Sequence, residues 1–567
     1  MHSIEVLKFG SSVLRTPDDL PIAVDEIHRR WRSNRLVLAV VSAFEGVTDR
    51  LIADASDIFG TASPHATSAY VATGEQKTAA LLADLLGLSG IPARVVEPRD
   101  IGLIAQGDAL ESVPTDIDRS ALERFWQTYP VLVLPGFYGI DQLGRIALFG
   151  RGGSDLSALF LAAELAAECR LLKDVRGVFS ADPVHDPNAK RFTALSWLTA
   201  IDVAGPLIQP KALRYARSRA LPFEVGRPNE YACTSIGETH DAWAANARPV
   251  RALRIGLLGC GVVGRGVYEL LKHHPDRFVV SHVFVSDVTK HPDIVERTAT
   301  QEFVTDESID VVVECLGGVD LPYELISAAL AAGRYVVTAN KAVVAARWPD
   351  LSIHARGEPR RLWYSAAVGG VLPVLETLDG LALRGLPVRE IRGILNGTCG
   401  VVLDALAEGK SLAQAIALAK AGGFAEADPA RDLSGRDSAD KLALMIEASF
   451  GRWLAPHAIP TRGVDAIANF SKDYKLIARA SRAGAGVTAS VAPELLSESS
   501  FLGQARGPEN RIEIELESGE VIRLRGQGAG RRPTAVSVLG DLHEVARLLL
   551  ESGIFLGHVN SCGRSLA

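Results

Sequence analysis

The sequence predicts an α/β protein with several domains, and three features of the chain support this prediction. A chain of 567 residues is too long for one hydrophobic core, so two to four domains are expected. Short apolar runs alternate with longer helical patterns, which is typical of parallel strands covered by helices. A polar, turn-rich stretch near residues 240–252 separates two halves, because a new strand begins directly after it.

The runs that predict strands are short and apolar at nearly every position. In chain order, examples are "RLVLAVVSA", "PVLVLPGFYG", "RIGLLG", "DVVVEC" and "YVVTAN". A strand that faces water on one side would alternate apolar and polar residues, and these runs do not. We therefore expect strands that are buried on both faces.

Composition and charge indicate an ordinary soluble globular protein, with 47% hydrophobic and 22% charged residues. The net charge of -7 gives no electrostatic reason to expect nucleic acid or an anionic membrane as a partner. The six cysteines lie far apart without a CxxC pair, which argues against structural zinc and for a reducing compartment. The N-terminus "MHSIEVLKFG" has charges where a signal peptide needs an apolar run. We therefore expect a cytoplasmic protein.

The stretch "LRIGLLGCGVVGRGVYELLKHH" predicts a dinucleotide-binding Rossmann unit at the start of the second half. It has a strand, a glycine-rich turn and a helix in the required order. The glycines permit a tight turn, let the backbone approach a pyrophosphate, and bring the helix close to the strand. The helix N-terminus favours the anion. The candidate cofactor-binding residues here are Gly259, Gly261, Val262, Val263 and Gly264.

The next strand, "FVVSHVFVSD", is predicted to end at Ser286 and Asp287. A carboxylate at this position binds the ribose 2′-hydroxyl of NAD, whereas a cation favours the 2′-phosphate of NADP. Asp287 is followed by Lys290, so both NAD and NADP remain open, with Asp287 favouring NAD.

The stretch "FAEADPARDLSGRDSADKLALM" carries Glu426, Asp432, Asp437 and Lys441, and it permits two interpretations. An aspartate and a lysine four residues apart form an ordinary pair on a solvated helix surface, and spacing alone favours this. Alternatively, these side chains converge on a substrate. Asp440 is expected to remain on the surface in either case.

Six blocks of the second half occur in the order found in homoserine dehydrogenases, so this half resembles that family. The blocks are "VVECLGG", "GRYVVTANKAVVA", "AAVGGVLPVLETL", "IRGILNGTCGVVLDAL", "GGFAEADPARDLSGRDSADKLAL" and "GQGAGRRPTAVSVLGDL". The resemblance covers roughly residues 252–550. It implies NAD(P)-dependent interconversion of aspartate semialdehyde and homoserine, a substrate with both an ammonium and a carboxylate group.

The resemblance assigns roles to the acidic run and favours the substrate-binding interpretation. It implies that Glu426 and Asp437 bind the substrate ammonium, that Lys441 is the general acid or base, and that Asp432 orients the cluster. Lys341, in "TANK", is implied as the second lysine of the site and as a neighbour of the cofactor. Further residues implied at the cofactor are Gly317, Gly530 and Thr534, and those implied at the substrate are Asn396 and Thr398.

The resemblance also implies a monovalent cation. Its ligands would be backbone carbonyls near Val368, Gly370 and Leu372, together with a glutamate side chain. Ser365 stands at the position of that glutamate, and a serine hydroxyl is a poorer ligand for a hard cation. The chain therefore departs from the family at this metal site.

Five blocks of the first half resemble the catalytic domain of aspartate kinases, which belong to the amino-acid kinase superfamily. They are "VLKFGSSVL", "AVVSAFEGVTDRL", "YVATGEQKTAALLADLL", "GFYGIDQLGRIALFGRGGSDLSA" and "LLKDVRGVFSADP", within roughly residues 3–237. The resemblance implies an αβα sandwich that binds ATP with Mg²⁺ and phosphorylates aspartate. The aspartate side chain is already an anionic nucleophile, so catalysis would rest on positioning and charge neutralisation.

The resemblance also implies which residues bind each kinase substrate. Aspartate would be held by Thr48, Glu75, Arg151 and Ser154, with Asp155 orienting them. The glycine-rich turns and strand ends implied at ATP contain Lys8, Gly10, Ser11, Ser12, Gly152, Gly153, Asp155, Lys173 and Asp174.

Several departures cluster on the nucleotide side of this half. "KFGSS" is one residue shorter than the family pattern, and Lys173 stands in place of a threonine. Val184 and Pro206 stand where the family has an arginine and a lysine, so two cations are missing, and Lys173 or Lys211 is a candidate replacement. Two interpretations remain open: a slow or altered kinase, and a non-catalytic module that binds aspartate or organises subunits.

Together the halves resemble bifunctional aspartate kinase–homoserine dehydrogenases, in which small-molecule substrates are the partners. The expected domains are a kinase-like domain over 1–240, a Rossmann domain over 252–370, a catalytic and dimerisation domain over 371–530, and a returning segment over 531–567. We expect no paired regulatory modules between the halves, hence no inhibition by threonine or lysine through that route. The resemblance implies a homodimer or homotetramer. A reductase for a related amino-acid aldehyde remains an alternative with the same fold.

Overall fold

The computed structural model describes residues 3–59, 63–186, 188–205, 207–238, 240–244, 251–425, 428–464, 467, 473–484 and 486–551. These residues form two compact units. The first contains the described residues of 1–88 and 92–249, and the second contains those of 89–91 and 250–567. Among the helices described, none is both long and apolar enough to cross a membrane.

The first unit alternates strands and helices along its length. Its helices are α1 (Leu20–Arg32), α2 (Val47–Phe59), α3 (Pro64–Leu88), α4 (Arg119–Trp126), α5 (Gly153–Leu165), α6 (Trp197–Val203) and α7 (Pro210–Ser218). Its strands are β1 (Ile4–Phe9), β2 (Leu36–Val41), β3 (Ala93–Val95), β4 (Ile104–Asp108), β5 (Glu111–Asp116), β6 (Val131–Pro135), β7 (Tyr138–Ile140), β8 (Ile146–Leu148), β9 (Glu168–Leu172), β10 (Phe192–Ser196), β11 (Phe223–Gly226), β12 (Cys233–Gly237) and β13 (Ala242–Trp243).

Most of these strands form one sheet, in the order β13-β10-β12-β11-β9-β1-β2-β6-β3. Its centre, β9-β1-β2-β6, is parallel. Nearly every residue of β1, β2 and β6 is buried, which confirms that the apolar runs of the first half are strands covered on both faces. The other strands pair in a smaller sheet, β5-β4-β7-β8.

Helix α5 follows the glycine-rich stretch "GRGGSD" directly, as the sequence predicts. Gly152 precedes it with a φ of +76°, a left-handed conformation that glycine adopts without strain. The helix is buried along most of its length and packs against β1 and β9. Its first turn therefore lies at the carboxyl ends of these two parallel strands.

The second unit begins with β14, directly after the predicted boundary. Its helices are α8 (Val262–Leu271), α9 (Asp320–Ala331), α10 (Lys341–Ala346), α11 (Trp348–Arg356), α12 (Ser365–Gly369), α13 (Val374–Leu383), α14 (Gly397–Ala407), α15 (Leu412–Ala421), α16 (Ala430–Leu433), α17 (Arg436–Phe450) and α18 (Arg531–Glu551). Its strands are β14 (Leu253–Leu258), β15 (Phe278–Phe284), β16 (Arg297–Thr298), β17 (Val311–Glu314), β18 (Tyr335–Thr338), β19 (Leu362–Trp363), β20 (Val388–Ile394), β21 (Tyr474–Ala483), β22 (Gly486–Leu495), β23 (Glu509–Leu516) and β24 (Val521–Gln527).

Six strands of this unit form a sheet in which every neighbouring pair is parallel. The spatial order is β16-β15-β14-β17-β18-β19. Counted along the chain this is the order 3-2-1-4-5-6 of the doubly wound Rossmann fold. The predicted Rossmann fold is therefore confirmed, and its nucleotide edge lies at the carboxyl ends of β14, β17 and β18.

The remaining strands form an antiparallel sheet in the order β22-β21-β20-β23-β24. Helices α14 and α17 pack against β21. This separate sheet with its helices is the predicted α+β part of the second half. It places the first turn of α17, which carries Asp437, beside the Rossmann sheet.

Helix α18 returns to the Rossmann sheet and packs against α8. A Cβ added to Gly266 of α8 would lie 3.2 Å from the Cβ of Ala535 on α18, so the absence of a side chain permits the close approach. The chain thereby brings a C-terminal helix against the first helix of the nucleotide-binding unit.

Candidate active sites

An ion cluster at the start of α17 has Asp437 between two lysines. The Nζ of Lys341 lies 2.7 Å from Asp437 Oδ1, and the Nζ of Lys441 lies 3.0 Å from Asp437 Oδ2. Asp437 and Lys441 are one turn apart on α17 and project from the same face. Lys341 is the first residue of α10, directly after β18. The cluster therefore lies at the edge of the Rossmann sheet where nucleotides bind.

Asn396 joins a second aspartate to this cluster. Its Nδ2 donates to Asp437 Oδ2 at 2.8 Å and to Asp432 Oδ1 at 2.7 Å. Its Oδ1 accepts the N–H of Cys399 at 2.8 Å and so caps α14. The structure thus brings together five residues that the sequence predicts for the substrate site: Lys341, Asn396, Asp432, Asp437 and Lys441.

The charges of this cluster shift the pKa values of one another. Burial acts to raise the pKa of Asp437, but Lys441 and Lys341 outweigh it and hold this pKa well below its usual range. The pKa of Lys341 is raised, chiefly because Asp437 is so close. Burial raises the pKa of Asp432, and the charge of Asp437 raises it further. At neutral pH the cluster therefore holds an ionised Asp437 beside a protonated Lys341.

The two lysines differ in their access to a substrate. The side chain of Lys441 is 6% exposed, and its Nζ also donates to the Leu395 carbonyl at 2.6 Å. The side chain of Lys341 is 40% exposed. Lys441 is thus fixed by two acceptors, while Lys341 reaches the cluster from its open side.

Asp440 differs from its prediction, because it is buried rather than on the surface. Its Oδ2 pairs with Arg431 Nη2 at 2.6 Å, and burial raises its pKa. The prediction was wrong because α17 is covered on almost all sides, so its polar residues do not mark a solvent-facing stripe.

Two further residues were predicted at the substrate, Glu426 and Thr398. Glu426 lies outside the described residues. Thr398, in the first turn of α14, donates its hydroxyl hydrogen to the carbonyl of Phe424. This bond ties the start of α14 to the loop that follows α15.

The glycine loop after β14 has the geometry that a dinucleotide needs. Gly259 has a φ of +93°, and a Cβ on Gly264 would lie 2.0 Å from the Gly259 carbonyl oxygen. A Cβ on Gly261 would instead project into open space, as would one on Gly317 in the neighbouring turn. Val262 and Val263 are the first residues of α8, so their N–H groups have no acceptor within the helix. The loop therefore fits a pyrophosphate held by backbone.

Asp287 lies just beyond the strand on which the sequence placed it. Strand β15 ends at Phe284, and Asp287 caps a short turn by accepting the N–H and hydroxyl of Thr289 at 3.0 and 2.6 Å. These hydrogen bonds lower its pKa. Lys290 Nζ is 3.7 Å from Asp287 Oδ2, so a carboxylate and an ammonium are both present at this position.

The returning loop brings its predicted residues to the start of α18. Gly530 has a φ of +123°, which favours glycine, and its carbonyl accepts the N–H of Thr534 at 3.1 Å. Thr534 is buried in the first turn of the helix that packs on α8.

The residues implied for a monovalent cation fit such an ion poorly. Position 365 offers a hydroxyl in place of a carboxylate, and the backbone N–H of Ser365 donates to Asp541 Oδ2 at 3.0 Å. The Leu372 carbonyl already accepts the N–H of Val374 at 2.8 Å. Val368 and Gly370 are also buried in this turn.

Glu314 is a polar residue near this site that the sequence predictions missed. It ends β17, after three valines, and is fully buried. A single carboxylate at the end of an apolar strand, directly before the "CLGG" turn, was the available signal.

The first unit holds a second cluster in which one aspartate lies between two lysines. Asp155, in the first turn of α5, accepts from Lys8 Nζ at 2.7 Å and from Lys173 Nζ at 2.9 Å. Lys8 lies near the end of β1, and Lys173 directly follows β9. All three side chains are buried. Of the two candidate replacements for the missing cations, Lys173 is therefore the one beside Lys8.

The electrostatics of this cluster differ from those of the Asp437 cluster. Burial lowers the pKa of Lys8 to about 8, although Asp155 opposes this shift. Burial also acts to raise the pKa of Asp155, but Lys173 and Lys8 outweigh it and hold this pKa at about 2. Two lysines against one aspartate leave an excess positive charge, which suits an anion.

The residues predicted to bind aspartate lie around this cluster. Ser154 precedes Asp155, and its Oγ is 2.8 Å from that of Ser42. Glu75 of α3 is buried; its Oε1 accepts the Ala43 N–H at 3.2 Å, and its Oε2 has no hydrogen-bond partner among the described residues. Burial raises the pKa of Glu75 to about 7.

The remaining predicted kinase residues are more open. Thr48 lies in the first turn of α2 and is half-buried. Arg151, Ser11 and Asp174 are exposed, and Ser12 is half-buried.

The glycine turns of the kinase-like unit approach other groups closely. A Cβ on Gly10 would lie 2.8 Å from Lys8 Nζ, and one on Gly152 would lie 2.3 Å from Gln209 Cγ. Gly153 is buried as the first residue of α5.

Lys211 pairs with Glu111 and donates to the carbonyl of Phe149 at 2.9 Å. Lys211 is thus bound away from Asp155.

The chain matches three protein-family models. The amino acid kinase family matches residues 3–223, the NAD binding domain of homoserine dehydrogenase matches 259–365, and homoserine dehydrogenase itself matches 373–543. These matches follow the order of the two sequence resemblances. They support NAD(P) as the cofactor of the second half.

Curated homoserine dehydrogenases match the second half of the chain. The homoserine dehydrogenase of Corynebacterium glutamicum is 33% identical over 332 residues, which is 54% of this chain and 74% of that protein. That of Bacillus subtilis is 31% identical over 320 residues, or 53% and 74% of the two chains. A solved homoserine dehydrogenase from Thiobacillus denitrificans is 28% identical with a TM-score of 0.49, and the match covers 54% of this chain and 75% of that one. The chain belongs to the homoserine dehydrogenase family, with an amino acid kinase domain fused before its nucleotide-binding and catalytic domains.

Proposed function

We propose that the dehydrogenase reaction takes place at the cluster of Lys341, Asp437 and Lys441. The reaction is the reversible reduction of L-aspartate 4-semialdehyde to L-homoserine with NAD(P)H. The observation that carries the proposal is that one buried carboxylate holds both ammonium groups at the nucleotide edge of the Rossmann sheet. Hydride transfer to an aldehyde needs a proton donor beside the carbonyl oxygen, and these ammonium groups supply one.

In this proposal Lys441 is the general acid and base. A bound reduced nicotinamide supplies the hydride to the aldehyde carbon. Lys441 gives a proton to the carbonyl oxygen, which becomes the hydroxyl of homoserine, and takes the proton back in the reverse reaction. The two acceptors of Lys441, Asp437 and the Leu395 carbonyl, fix its direction.

The other residues of the cluster bind the substrate and cofactor. Lys341 binds the substrate carboxylate from the open side of the cluster, because Asp437 keeps its ammonium charged. Glu426 and Asp437 bind the substrate ammonium, and Asp432 orients them through Asn396. The glycine loop at the start of α8, together with Gly530 and Thr534, would hold the pyrophosphate of the cofactor.

The lysine assignments are tested by replacing each lysine in the full chain. Lys441→Ala is expected to lower kcat for homoserine oxidation by about 100-fold or more, because a general acid or base is removed. Its KM for the cofactor should change little. Lys420→Ala, an exposed lysine of α15, is the matched control and should behave as wild type. Near-normal turnover of Lys441→Ala would contradict the assignment.

Two predictions concern the cofactor and the substrate of the dehydrogenase. Asp287 favours NAD and Lys290 supports NADP, and we propose that the carboxylate of Asp287 makes NAD the preferred cofactor. In Asp287→Asn the ratio of kcat/KM for NAD over kcat/KM for NADP should then fall.

Comparing the turnover of homoserine with that of other amino alcohols distinguishes homoserine from a related amino-acid aldehyde pair. Faster turnover of another amino alcohol would overturn the homoserine assignment.

We propose that the first unit transfers the γ-phosphoryl group of ATP, with Mg²⁺, to the side chain of L-aspartate. The support is the buried cluster of Lys8, Asp155 and Lys173, whose excess positive charge suits phosphate groups. In this role Lys173 replaces a cation that the family places elsewhere. Thr48, Glu75, Arg151 and Ser154 bind aspartate.

The kinase proposal is tested by trapping the acyl phosphate with hydroxylamine. Wild type should form hydroxamate that depends on ATP and aspartate, and Lys8→Ala should abolish it. Lys173→Thr, which restores the family residue, should reduce it strongly, whereas Lys190→Thr on the surface should not. Wild-type hydroxamate no higher than that of Lys8→Ala would favour the alternative, a module that binds aspartate without turnover.

We also propose that the chain forms a homodimer or homotetramer through the five-stranded sheet and works in the cytoplasm without nucleic acid or membrane partners. Sedimentation velocity of the purified chain tests the assembly, and a monomer would contradict it.

Threonine and lysine should leave both activities unchanged. Loss of activity at micromolar threonine would contradict this expected lack of inhibition.

A further inference from the structure

The carboxylate of Glu314 joins two loops at the nucleotide edge of the Rossmann sheet. Its Oε1 accepts the N–H of Leu316 at 2.7 Å, in the turn that leads to Gly317. Its Oε2 accepts the hydroxyl of Thr338, the last residue of β18. Glu314 therefore contacts the ends of both strands that border the candidate site.

Asn340 extends this contact to the lysine of the site. Its Nδ2 donates to Gly318 O at 2.9 Å and lies 3.5 Å from Glu314 Oε1, while its backbone N–H donates to Thr338 Oγ1 at 3.0 Å. Its Oδ1 accepts the N–H groups of Ala342 and Val343 and caps α10. The first residue of this helix is Lys341. The chain of hydrogen bonds thus runs from Glu314 through Asn340 to the start of the helix that presents Lys341.

Burying the carboxylate of Glu314 between two loops costs desolvation free energy. Burial raises the pKa of Glu314 to about 7, and within the described residues no lysine or arginine forms an ion pair with it. The carboxylate offers acceptors to three donors at once, whereas a glutamine would face one of them with its own N–H group. Oε1 faces two N–H groups and must accept, whereas Oε2 faces the Thr338 hydroxyl, which already accepts the Asn340 N–H and would have to redirect its hydrogen to face a glutamine amide.

We propose that Glu314 is a positioning residue for the dehydrogenase reaction. Its carboxylate sets the place of the Lys341 ammonium, through Asn340, and the shape of the Gly317–Gly318 turn. It touches neither the substrate nor the reacting atoms. The proposal rests on the proposed site at Lys341, Asp437 and Lys441.

The first test compares steady-state kinetics of the full chain and its variants. Glu314→Gln should lower kcat for homoserine oxidation by about ten-fold and raise the KM for homoserine, as loss of an orienting partner typically does. Glu307→Gln, an exposed residue of the same domain, is the control and should match wild type. Kinetics of Glu314→Gln within two-fold of wild type would overturn the proposal.

The second test exchanges the hydrogen-bonding partners. Asn340→Asp keeps the cap on α10 but places a second carboxylate against Glu314, so it should lose more activity than Glu314→Gln. The double variant Glu314→Gln with Asn340→Asp restores one donor and one acceptor and should recover kcat above that of Asn340→Asp alone. Additive losses would contradict coupling between the two residues.

A third measurement separates positioning from general loss of stability and from failure of the proposed site. The labelling rate of Lys341 by an acetylating reagent, read by peptide mass spectrometry against Lys420, should change at least three-fold in Glu314→Gln. An unchanged rate with reduced kcat would overturn the proposal, whereas normal turnover in Lys341→Ala would overturn the site itself. If Glu314→Gln does not fold, Thr338→Val removes one donor to the carboxylate and should change the labelling rate and kcat in the same directions.

Discussion

Each half of the chain holds a buried aspartate between two lysine ammonium groups. Asp155 and Asp437 are both kept ionised, because two cations outweigh the cost of burying one carboxylate. Around Asp155 one positive charge remains in excess, which suits phosphate oxygens, whereas Asn396 brings a second carboxylate, Asp432, to the Asp437 cluster. The same residue types can thus serve phosphoryl transfer and hydride transfer, and the neighbouring loops determine which ligand enters.

The pH dependence of stability offers a test at the level of one residue, Glu75. Its folded pKa of about 7 lies above its unfolded value near 4.5, so its protonated form stabilises the fold and this contribution is lost as pH rises from 4.5 through 7. The loss should be about 3 kcal/mol, since each pKa unit corresponds to about 1.4 kcal/mol. We expect the unfolding temperature of wild type to fall more steeply between pH 5 and 8 than that of Glu75→Gln, measured by calorimetry.

The control for this measurement is Glu123→Gln, an exposed residue on α4. It should keep the wild-type dependence on pH, since its carboxylate is in water in both states. If Glu75→Gln and wild type show parallel curves, Glu75 does not titrate in this range.

At the level of elements, two asparagines each connect a helix cap to the dehydrogenase site. Asn396 caps α14 with its Oδ1 and uses its Nδ2 to hold Asp432 and Asp437. Asn340 caps α10 with its Oδ1 and directs its Nδ2 to Gly318 and Glu314. An aspartate could cap either helix, but it has no N–H group to donate. The amide is what links the position of the helix to the carboxylates.

The glycine loop before α8 allows its structural and binding roles to be separated. Gly264→Ala should lower the unfolding temperature, because its Cβ would lie 2.0 Å from the Gly259 carbonyl oxygen and the loop would have to move. Gly261→Ala meets no atom within 4 Å and should leave this temperature unchanged. It should nevertheless raise the KM for NAD(P) at least about ten-fold, because the backbone could no longer approach the pyrophosphate.

Calorimetry and initial-rate kinetics on the two variants decide this prediction. Equal losses of stability in both would show that Gly261 serves the fold alone. An unchanged cofactor KM in Gly261→Ala would show that the pyrophosphate lies elsewhere.

At the level of the whole molecule, each candidate site is built from residues of one unit. The Asp155 cluster lies in the first unit, and the Asp437 cluster lies in the second. We therefore expect point variants to separate the two activities in the full chain. Lys8→Ala should abolish hydroxamate formation and leave kcat/KM for homoserine within two-fold of wild type. Lys441→Ala should strongly lower homoserine oxidation and leave hydroxamate formation within about two-fold of wild type.

Both variants are measured in both assays, with wild type as reference. A fall of homoserine oxidation in Lys8→Ala would show that the first unit supports the dehydrogenase, which is the outcome expected of an assembly module. A fall of hydroxamate formation in Lys441→Ala would show that the second unit supports the kinase activity of the first.

The sequence by itself determined the α/β class, the boundary between the halves, the Rossmann unit and the membership of each half in its family. These features rest on local patterns, since strand apolarity and glycine spacing act over a few residues. It also marked Lys341, Asp432, Asp437 and Lys441 as candidates. It did so through family motifs, because spacing alone favoured a solvated helix surface.

Only the tertiary structure decided which of these side chains meet. Lys341 and Asp437 are far apart in the chain, and Asp155 meets Lys173 rather than Lys211. It also decided that Asp440 is buried and that Glu314 contacts the ends of two strands. The physical reason is that burial and hydrogen bonding depend on which elements pack together, and a periodic pattern within one element carries no information about its partner.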